Sequence, residues 1–172
     1  GMCSEVVAPC PDLPEEMALE AQRIALEIAR VLDVTGMLAV ELFDTPAGIV
    51  VNELAMRPHN SGHWTIDGAV TSQFENHLRA VLDLPLGDPR PIARWAVMVN
   101  IVGPADIEGL LPLYDAYRHV LARDPGVKVQ LYGKEIRAGR KLGHVTVIGD
   151  DLDDLLARAH HAADYFMGVI DE

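Results

Sequence analysis

The sequence is poor in cysteine, in aromatic residues and in basic residues. Its 172 residues include two cysteines, and aromatic residues make up 5% of the chain. Cys3 and Cys10 have neither a C-x-x-C spacing nor partner cysteines, which argues against a thiolate zinc site. We expect reduced thiols, with a Cys3–Cys10 disulfide as the alternative. The formal charge of −12 argues against a general nucleic-acid or acidic-membrane binder, because phosphate binding needs a basic face.

Several familiar signals are also missing from the chain. No apolar run is long enough to span a bilayer, and we find no signal peptide, so we expect a soluble, cytoplasmic protein. The P-loop pattern, the G-x-S-x-G elbow and a nucleophilic cysteine motif are all absent. What the chain does have is apolar residues at 49%, which is enough for a sizeable core.

The first half of the chain predicts one strand, two helices and a hairpin. Residues 3–8 are apolar and β-branched, and we expect the neighbours of this first strand to lie upstream. Pro14 opens a helix with a stripe of apolar residues that predicts one buried face. Residues 34–43 and 49–54 flank T-P-A-G and predict an antiparallel hairpin that places Glu41 opposite Asn52 or Glu53. A loop over 55–65 and a helix over about 69–82 follow.

A hinge rich in proline and glycine, DLPLGDPRPIA, then marks the predicted domain boundary. Beyond it, the pattern predicts strands at 95–102, 127–132 and 144–148, and helices at 107–122 and 151–166. We therefore predict an α+β protein, with residues 1–88 in one domain and 89–172 in a small C-terminal lobe.

Glu41 and Glu53 are the first candidate site residues. A lone carboxylate inside the apolar strand LAVELF is costly unless it is paired or liganded. Two glutamates on neighbouring strands, with Asn52 beside one of them, suit magnesium, which takes oxygen ligands. The alternative is that both side chains point to solvent from a half-exposed sheet, since strand residues alternate between faces. From spacing alone the two interpretations are equally supported.

The run RPHNSGHWT, directly after the second strand of the hairpin, is the second candidate. Arg57 is a fork donor suited to a phosphate or carboxylate. Four further polar side chains follow on the same loop: His59, Asn60, Ser61 and His63. Pro58 and Gly62 argue against the helix that an i, i+4 zinc pair needs. A polar loop that follows a buried strand is typical of a functional site.

A basic loop, GKEIRAGRKLGH, is the third candidate and contrasts with the acidic composition. Lys134, Arg140 and Lys141 can receive a phosphate there. The alternative is solvated surface, because basic hairpin loops are common.

These motifs resemble one known family closely. V-E-L-F, N-E-L-A-M-R-P-H-N-S-G-H-W-T and Y-G-K-E-I-R-A-G-R-K-L-G-H are similar to the 5-(carboxyamino)imidazole ribonucleotide synthases, the ATPase enzymes of de novo purine synthesis. The resemblance runs from about Cys3 to the end. It implies the second half of an ATP-grasp domain, an antiparallel sheet with packed helices, plus a small mixed C-terminal lobe.

The resemblance also implies the chemistry. In the family, ATP phosphorylates bicarbonate to carboxyphosphate, and the carboxyl group passes to the amine of 5-aminoimidazole ribonucleotide. By position, Glu41 and Glu53 are expected to hold Mg²⁺, with Asn52 and Glu53 at the ATP. Arg57, His59 and Asn60 are the expected catalytic residues. The expected substrate-binding residues are these three together with Ser61, His63, Lys134, Arg140 and Lys141.

One departure from the family lies at the front of the chain. Family members begin with an N-terminal α/β lobe and the first half of the ATP-grasp domain, and the full-length enzymes are expected to be homodimers. We therefore interpret the chain as the C-terminal half, from a truncated chain, a split gene or proteolysis, and expect it to be inactive alone. Two alternatives stay open: a non-catalytic binding or assembly module, and a different ATP-grasp carboxylate–amine ligase.

Overall fold

The helices and strands of this protein fall into two compact units in the computed structural model, which describes residues 2–106 and 112–171. One unit consists of residues 10–90, and the other consists of residues 1–9 together with 91–172. The predicted α+β class, with antiparallel sheets and packed helices, is confirmed. The linear division at residue 88 stays a prediction, because compact units group residues by contact and not by sequence order.

The unit of residues 10–90 begins with helix α1, Glu15–Val31. As predicted, Pro14 precedes the first turn, and its carbonyl oxygen accepts a hydrogen bond from Ala18 N at 2.9 Å. The predicted burial of the apolar stripe is confirmed only in part. No residue of α1 is fully buried, and Val31 is 64% exposed. Apolar spacing identifies the apolar face of a helix, but what covers that face depends on the neighbouring elements.

The predicted hairpin consists of β2, Ala39–Thr45, and β3, Gly48–Ala55, and it is antiparallel. Gly48 has a φ of +108°, which suits glycine in the tight turn between the strands. The register places Glu41 opposite Glu53 and shifts by one residue immediately afterwards, where Leu42 faces Val51. This β-bulge decides between the two registers that the sequence left open.

The segment after β3 contains more regular structure than the loop that the sequence predicts. A 3₁₀ turn covers Asn60–Gly62, and a four-residue helix, α2, covers Thr65–Gly68. Helix α3, Gln73–Val81, begins at Ser72, whose Oγ accepts a hydrogen bond from Glu75 N at 3.2 Å. The helix therefore starts later than the predicted residue 69, at its N-cap.

The second unit is built on a four-stranded antiparallel sheet with the order β1-β4-β6-β5. Its strands are β1, Glu5–Ala8; β4, Trp95–Val102; β5, Lys128–Leu131; and β6, Lys141–Gly149. We expected the neighbours of β1 to lie upstream, but the strand that pairs with β1 in this structure is the later β4, where Val97 lies opposite Val7. A short strand takes whichever edge the fold offers, and its sequence does not say which.

Two helices complete this unit: α4, Leu113–Arg123, and α5, Leu152–Phe166. The first residues of the helix predicted at 107–122, residues 107–111, lie outside the described residues. Asp151 caps α5 as predicted, since its Oδ1 accepts a hydrogen bond from Asp154 N at 3.2 Å. Apolar side chains of β4, β6 and the two helices form the core, among them Val97, Ile101, Val120, Leu142, Leu155 and Phe166.

The structure bears on two further expectations. The two cysteines are not joined by a disulfide. Within residues 2–106 and 112–171, none of the helices combines the length and the apolarity that a bilayer crossing requires.

The core of the second unit makes one prediction about stability. Phe166 is buried at the end of α5 and meets the Tyr117 ring edge-on at a centroid distance of 6.1 Å. We expect Phe166→Ala to lower the free energy of unfolding by about 3–5 kcal/mol, because it removes a buried ring and leaves a cavity. Urea unfolding followed by circular dichroism measures this loss. Tyr114→Ala is the control, since Tyr114 is 75% exposed; equal losses in both variants would contradict the core assignment.

Candidate functional site

The hairpin brings the two predicted metal ligands together. Glu41 on β2 and Glu53 on β3 are directly opposite each other, and the Asn52 Nδ2 donates a hydrogen bond to Glu41 Oε2 at 3.1 Å. Residues opposite each other in an antiparallel pair project to the same face of the sheet. The bulge thus places both carboxylates and the amide within reach of one another, as the magnesium hypothesis requires.

His59 is the third member of this cluster. Its Nε2 lies 3.6 Å from Glu41 Oε1 and 3.4 Å from Glu53 Oε1. The ligand atoms of Glu41, Glu53 and His59 all lie within 4.8 Å of one another. The His59 residue is buried, with 8% exposed, whereas Glu53 is exposed and Glu41 is half-buried. The cluster is therefore open on the carboxylate side and closed behind the imidazole.

Ser61 determines which nitrogen of the neutral His59 ring carries the proton. The backbone N–H of Ser61 donates to His59 Nδ1 at 3.4 Å, and Ser61 Oγ lies 2.9 Å from the same nitrogen. A nitrogen that accepts a backbone hydrogen bond has no proton of its own, so the proton lies on Nε2. The N–H of His59 therefore faces the two carboxylates.

Residues 57–63, named here the site loop, are anchored by a residue that the sequence reasoning missed. Gln73 Oε1 accepts a hydrogen bond from His59 N at 2.9 Å, and Gln73 Nε2 donates to His59 O at 2.8 Å. The same Nε2 lies 2.8 Å from His63 Nδ1. Gln73 is the first residue of α3, where a side chain is usually solvated, so no signal in the sequence marks its role.

The other predicted residues of the site loop surround this anchored segment. Arg57 is exposed, and its Nη1 donates to the Pro58 carbonyl oxygen at 3.1 Å. Asn60, Ser61 and His63 are half-buried. A cleft of about 270 Å³ borders the loop, and its lining includes the side chains of His59, Ser61, Trp64, Thr71 and Gln73. The loop thus offers polar groups beside a cleft that can admit a small molecule.

The three basic candidates lie in the other compact unit, on and next to the connection between β5 and β6. Lys134 is exposed, whereas Arg140 and Lys141 are half-buried. The backbone of this connection is tied to the end of β4, because Gly103 N donates to Arg140 O at 2.8 Å and Gly139 N donates to Gly103 O at 2.8 Å. A Cβ at Gly103 would collide with the Arg137 carbonyl oxygen, so this close approach requires glycine.

Tyr132 packs against Lys134 and is a second residue that the sequence reasoning missed. Lys134 Nζ lies over the Tyr132 ring, 5.1 Å from its centroid. The Tyr132 hydroxyl oxygen lies 2.7 Å from Nδ1 of the fully buried His144. The hydrogen bond fixes the ring, and the ring face attracts the ammonium group. An aromatic residue two positions before a lysine in a basic loop is the signal that could have identified it.

Comparisons with known proteins identify two consecutive family matches. Residues 1–74 match the ATP-grasp domain, and residues 96–158 match the phosphoribosylaminoimidazole carboxylase C-terminal domain. The chain is 54% identical over 164 residues to the N5-carboxyaminoimidazole ribonucleotide synthase of Mycobacterium tuberculosis (strain ATCC 25618 / H37Rv), a match that covers 95% of this chain and 38% of that protein. The chain therefore spans well under half the length of the curated relatives that it matches.

Two solved structures from Aspergillus clavatus have the same fold. Carboxyaminoimidazole ribonucleotide synthase complexed with ATP is 31% identical, with a TM-score of 0.82 over 98% of this chain and 44% of that one. The N5-carboxyaminoimidazole synthase in complex with ADP and 5-aminoimidazole ribonucleotide is 32% identical, with a TM-score of 0.81 over 96% of this chain and 44% of that one.

The Tyr132–His144 pair generates a prediction for the basic loop. We expect Tyr132→Phe to lower the free energy of unfolding by about 1–3 kcal/mol, because the buried His144 Nδ1 loses its hydrogen-bond partner while the ring stays beneath Lys134. Thermal or urea unfolding provides the measurement. Tyr114→Phe removes an exposed hydroxyl and serves as the control. A Tyr132→Phe variant as stable as the wild type would contradict the hydrogen bond.

Proposed function

We propose, on the premise that this chain belongs to the family of the N5-carboxyaminoimidazole ribonucleotide synthases, that it carries the metal and substrate residues of an ATP-dependent carbon–nitrogen ligase. The reaction joins bicarbonate to the amine of 5-aminoimidazole ribonucleotide through carboxyphosphate. The observation that carries the proposal is the cluster of Glu41, Glu53 and His59, which lies on the hairpin and on the loop that directly follows it.

The donor set of the cluster fits Mg²⁺. Magnesium prefers oxygen ligands and is held in phosphate-transfer sites by one or two carboxylates together with substrate phosphates. Glu41 and Glu53 supply the carboxylates, and the Asn52 amide lies beside them. His59 presents an N–H to this space, so it suits a neighbouring anion better than a place among the metal ligands. When bound, the ion supplies positive charge to the phosphates of ATP.

The proposed ligase reaction has two steps, phosphoryl transfer to bicarbonate and carboxyl transfer to the amine. A bicarbonate oxygen bonds to the γ-phosphorus of ATP while the bond to the β-phosphate oxygen breaks, and ADP leaves. The amine nitrogen of the ribonucleotide then bonds to the carboxyl carbon, the carbon–oxygen bond to phosphate breaks, and the amine loses a proton. Arg57 and the N–H of His59 offset negative charge on the oxygens, with Asn60, Ser61 and His63 as further polar contacts.

The ribonucleotide phosphate requires a separate cationic site. Lys134 and Arg140 lie on the connection between β5 and β6, Lys141 is the first residue of β6, and the backbone of the connection is hydrogen-bonded to Gly103. A rigid backbone lowers the entropy cost of collecting several cations around one phosphate. In the family context, the proposed partners are ATP, bicarbonate, the remaining sequence of the relatives that this chain does not span, and a second copy in a homodimer.

The proposed metal site can be tested with Mn²⁺ as a probe for Mg²⁺. We expect Glu41→Gln and Glu53→Gln each to weaken Mn²⁺ binding to this chain by at least about tenfold, because each removes one anionic oxygen ligand. Electron paramagnetic resonance of free Mn²⁺ measures the affinity. Glu20→Gln is the matched control, since Glu20 is an exposed carboxylate that pairs with Arg23. The metal proposal fails if all three variants bind Mn²⁺ equally well.

The proposed phosphate site can be tested by calorimetric titration with 5-aminoimidazole ribonucleotide. We expect Lys134→Ala and Arg140→Ala each to weaken binding by about tenfold or more, because each removes a charge-assisted hydrogen bond. Arg23→Ala, which removes an exposed cation of α1, is the control. The riboside that lacks the phosphate should bind all variants alike. Equal ribonucleotide affinities in the wild type and both loop variants would refute the phosphate assignment.

A further inference from the structure

We propose that Gln73 is the positioning residue of the site loop: its carboxamide holds the backbone of His59 in place and fixes neutral His63 as the tautomer protonated on Nε2. The hydrogen bonds that carry this inference lie wholly within the unit of residues 10–90. The meaning of the residue for catalysis rests on the proposed function, whereas its effect on the two histidines does not.

Both the oxygen and the nitrogen of the Gln73 carboxamide form hydrogen bonds with the site loop. Its oxygen accepts from His59 N at 2.9 Å, and one proton of its nitrogen goes to His59 O at 2.8 Å. The amide group of the side chain therefore pairs with both backbone groups of one residue. This pairing determines which end of the carboxamide is oxygen, because the opposite orientation would set two carbonyl oxygens against each other.

The second proton of the Gln73 nitrogen decides the state of His63. Gln73 Nε2 lies 2.8 Å from His63 Nδ1. An amide nitrogen donates and does not accept, so Nδ1 must be the acceptor, and the proton of the neutral ring lies on Nε2. The His63 ring also packs against Phe74, with a centroid distance of 5.3 Å. The buried Gln73 side chain thus positions the backbone of His59 and sets the tautomer of His63.

Burial makes this arrangement costly to disturb. Gln73 is 6% exposed and His59 is 8% exposed, so neither lost hydrogen bond can be replaced freely by bulk water. The site loop also approaches the carboxamide closely at Gly62. A Cβ at Gly62 would lie 2.5 Å from Gln73 Oε1 and 2.8 Å from its Cδ. A larger residue at position 62 would therefore have to displace the Gln73 carboxamide.

The backbone of the same residue adds a second anchor. Gln73 N donates to Thr65 Oγ1 at 2.9 Å, and Thr65 Oγ1 donates to Gly62 O at 2.6 Å. The first turn of α3 therefore contacts the site loop at His59, at His63 and, through Thr65, at Gly62. These contacts hold His59 where its Nε2 lies 3.4 Å from Glu53 Oε1. A shift of the loop would move this N–H away from the carboxylates without altering either glutamate.

The first experiment needs no substitution. In the wild-type chain at a pH where the rings are neutral, ¹⁵N correlation spectra of the histidine side chains report the tautomer. We expect His63 to carry its proton on Nε2, and the His59 backbone amide to be protected from hydrogen exchange. A wild-type His63 protonated on Nδ1 would overturn the proposal.

The second experiment compares two variants with a matched control. Gln73→Glu keeps the size and replaces the donating nitrogen by an accepting oxygen, so we expect the His63 proton to move to Nδ1. Gly62→Ala displaces the carboxamide from the other side, and we expect the His59 amide to exchange about fivefold faster or more, the factor that loss of one hydrogen bond gives. Asn76→Asp is the control: it makes the same amide-to-acid change on α3, but its Oδ1 accepts from Gly87 N at 2.8 Å and needs no donor nitrogen there. Unchanged histidine signals in Gln73→Glu and Gly62→Ala would overturn the proposal.

A third measurement separates this proposal from the proposed metal site. Mn²⁺ bound at Glu41 and Glu53 should broaden the His59 ring signals in the wild type. We expect weaker broadening in Gln73→Glu at nearly unchanged Mn²⁺ affinity, because the loop moves while the two carboxylates remain. Broadening as strong as in the wild type would overturn the positioning role. Absence of Mn²⁺ binding to the wild type would refute the metal site instead, and the tautomer measurements would still decide the role of Gln73.

Discussion

Mutual repulsion of two carboxylates is the constraint on which the candidate site depends. Glu41 and Glu53 are placed opposite each other by the pairing of β2 with β3, and like charges so paired are unfavourable unless a donor or a cation lies between them. The structure offers the Asn52 amide at 3.1 Å from Glu41 and the His59 Nε2 at 3.4 Å from Glu53. A cation at the proposed metal site would reduce the remaining repulsion between the two carboxylates.

Rigidity of the surrounding chain is the second requirement of such a site. His59 reaches the carboxylates from a loop, and loops are held less firmly than strands. Here Gln73 holds the loop backbone at His59, and Ser61, within the loop, contacts the ring nitrogen of His59. His59 is thus positioned by hydrogen bonds from a helix end, whereas the hairpin positions the two glutamates.

The proposed phosphate site of the C-terminal unit would also have to hold like charges close together. A phosphate site needs several cations close together, although like charges repel each other. The connection between β5 and β6 holds its backbone against Gly103, and Lys134 rests over the ring of Tyr132, which is bonded to a fully buried histidine. The aromatic face and the anchored backbone both reduce the cost of keeping the cations in place.

Local sequence determined much of this protein. The turn T-P-A-G predicts the hairpin, Pro14 and Asp151 mark helix starts, and the apolar runs predict β4 and β6, because turn chemistry, capping and periodicity act over a few residues. The candidate site residues, from Glu41 to Lys141, could also be identified from their motifs.

Tertiary structure alone decided the rest. The bulge decides which residue of β3 faces Glu41, a choice that the turn left open. The pairing of β1 with the distant β4 and the contact of Gln73 with His59 join residues that no local pattern connects. The incomplete burial of the apolar face of α1 is another example. The spacing of its apolar residues is a local pattern, but its burial depends on which other elements pack against the helix. The physical reason is the same in each case: periodicity and propensity describe a segment, whereas register, burial and long-range hydrogen bonds depend on which other segment lies against it.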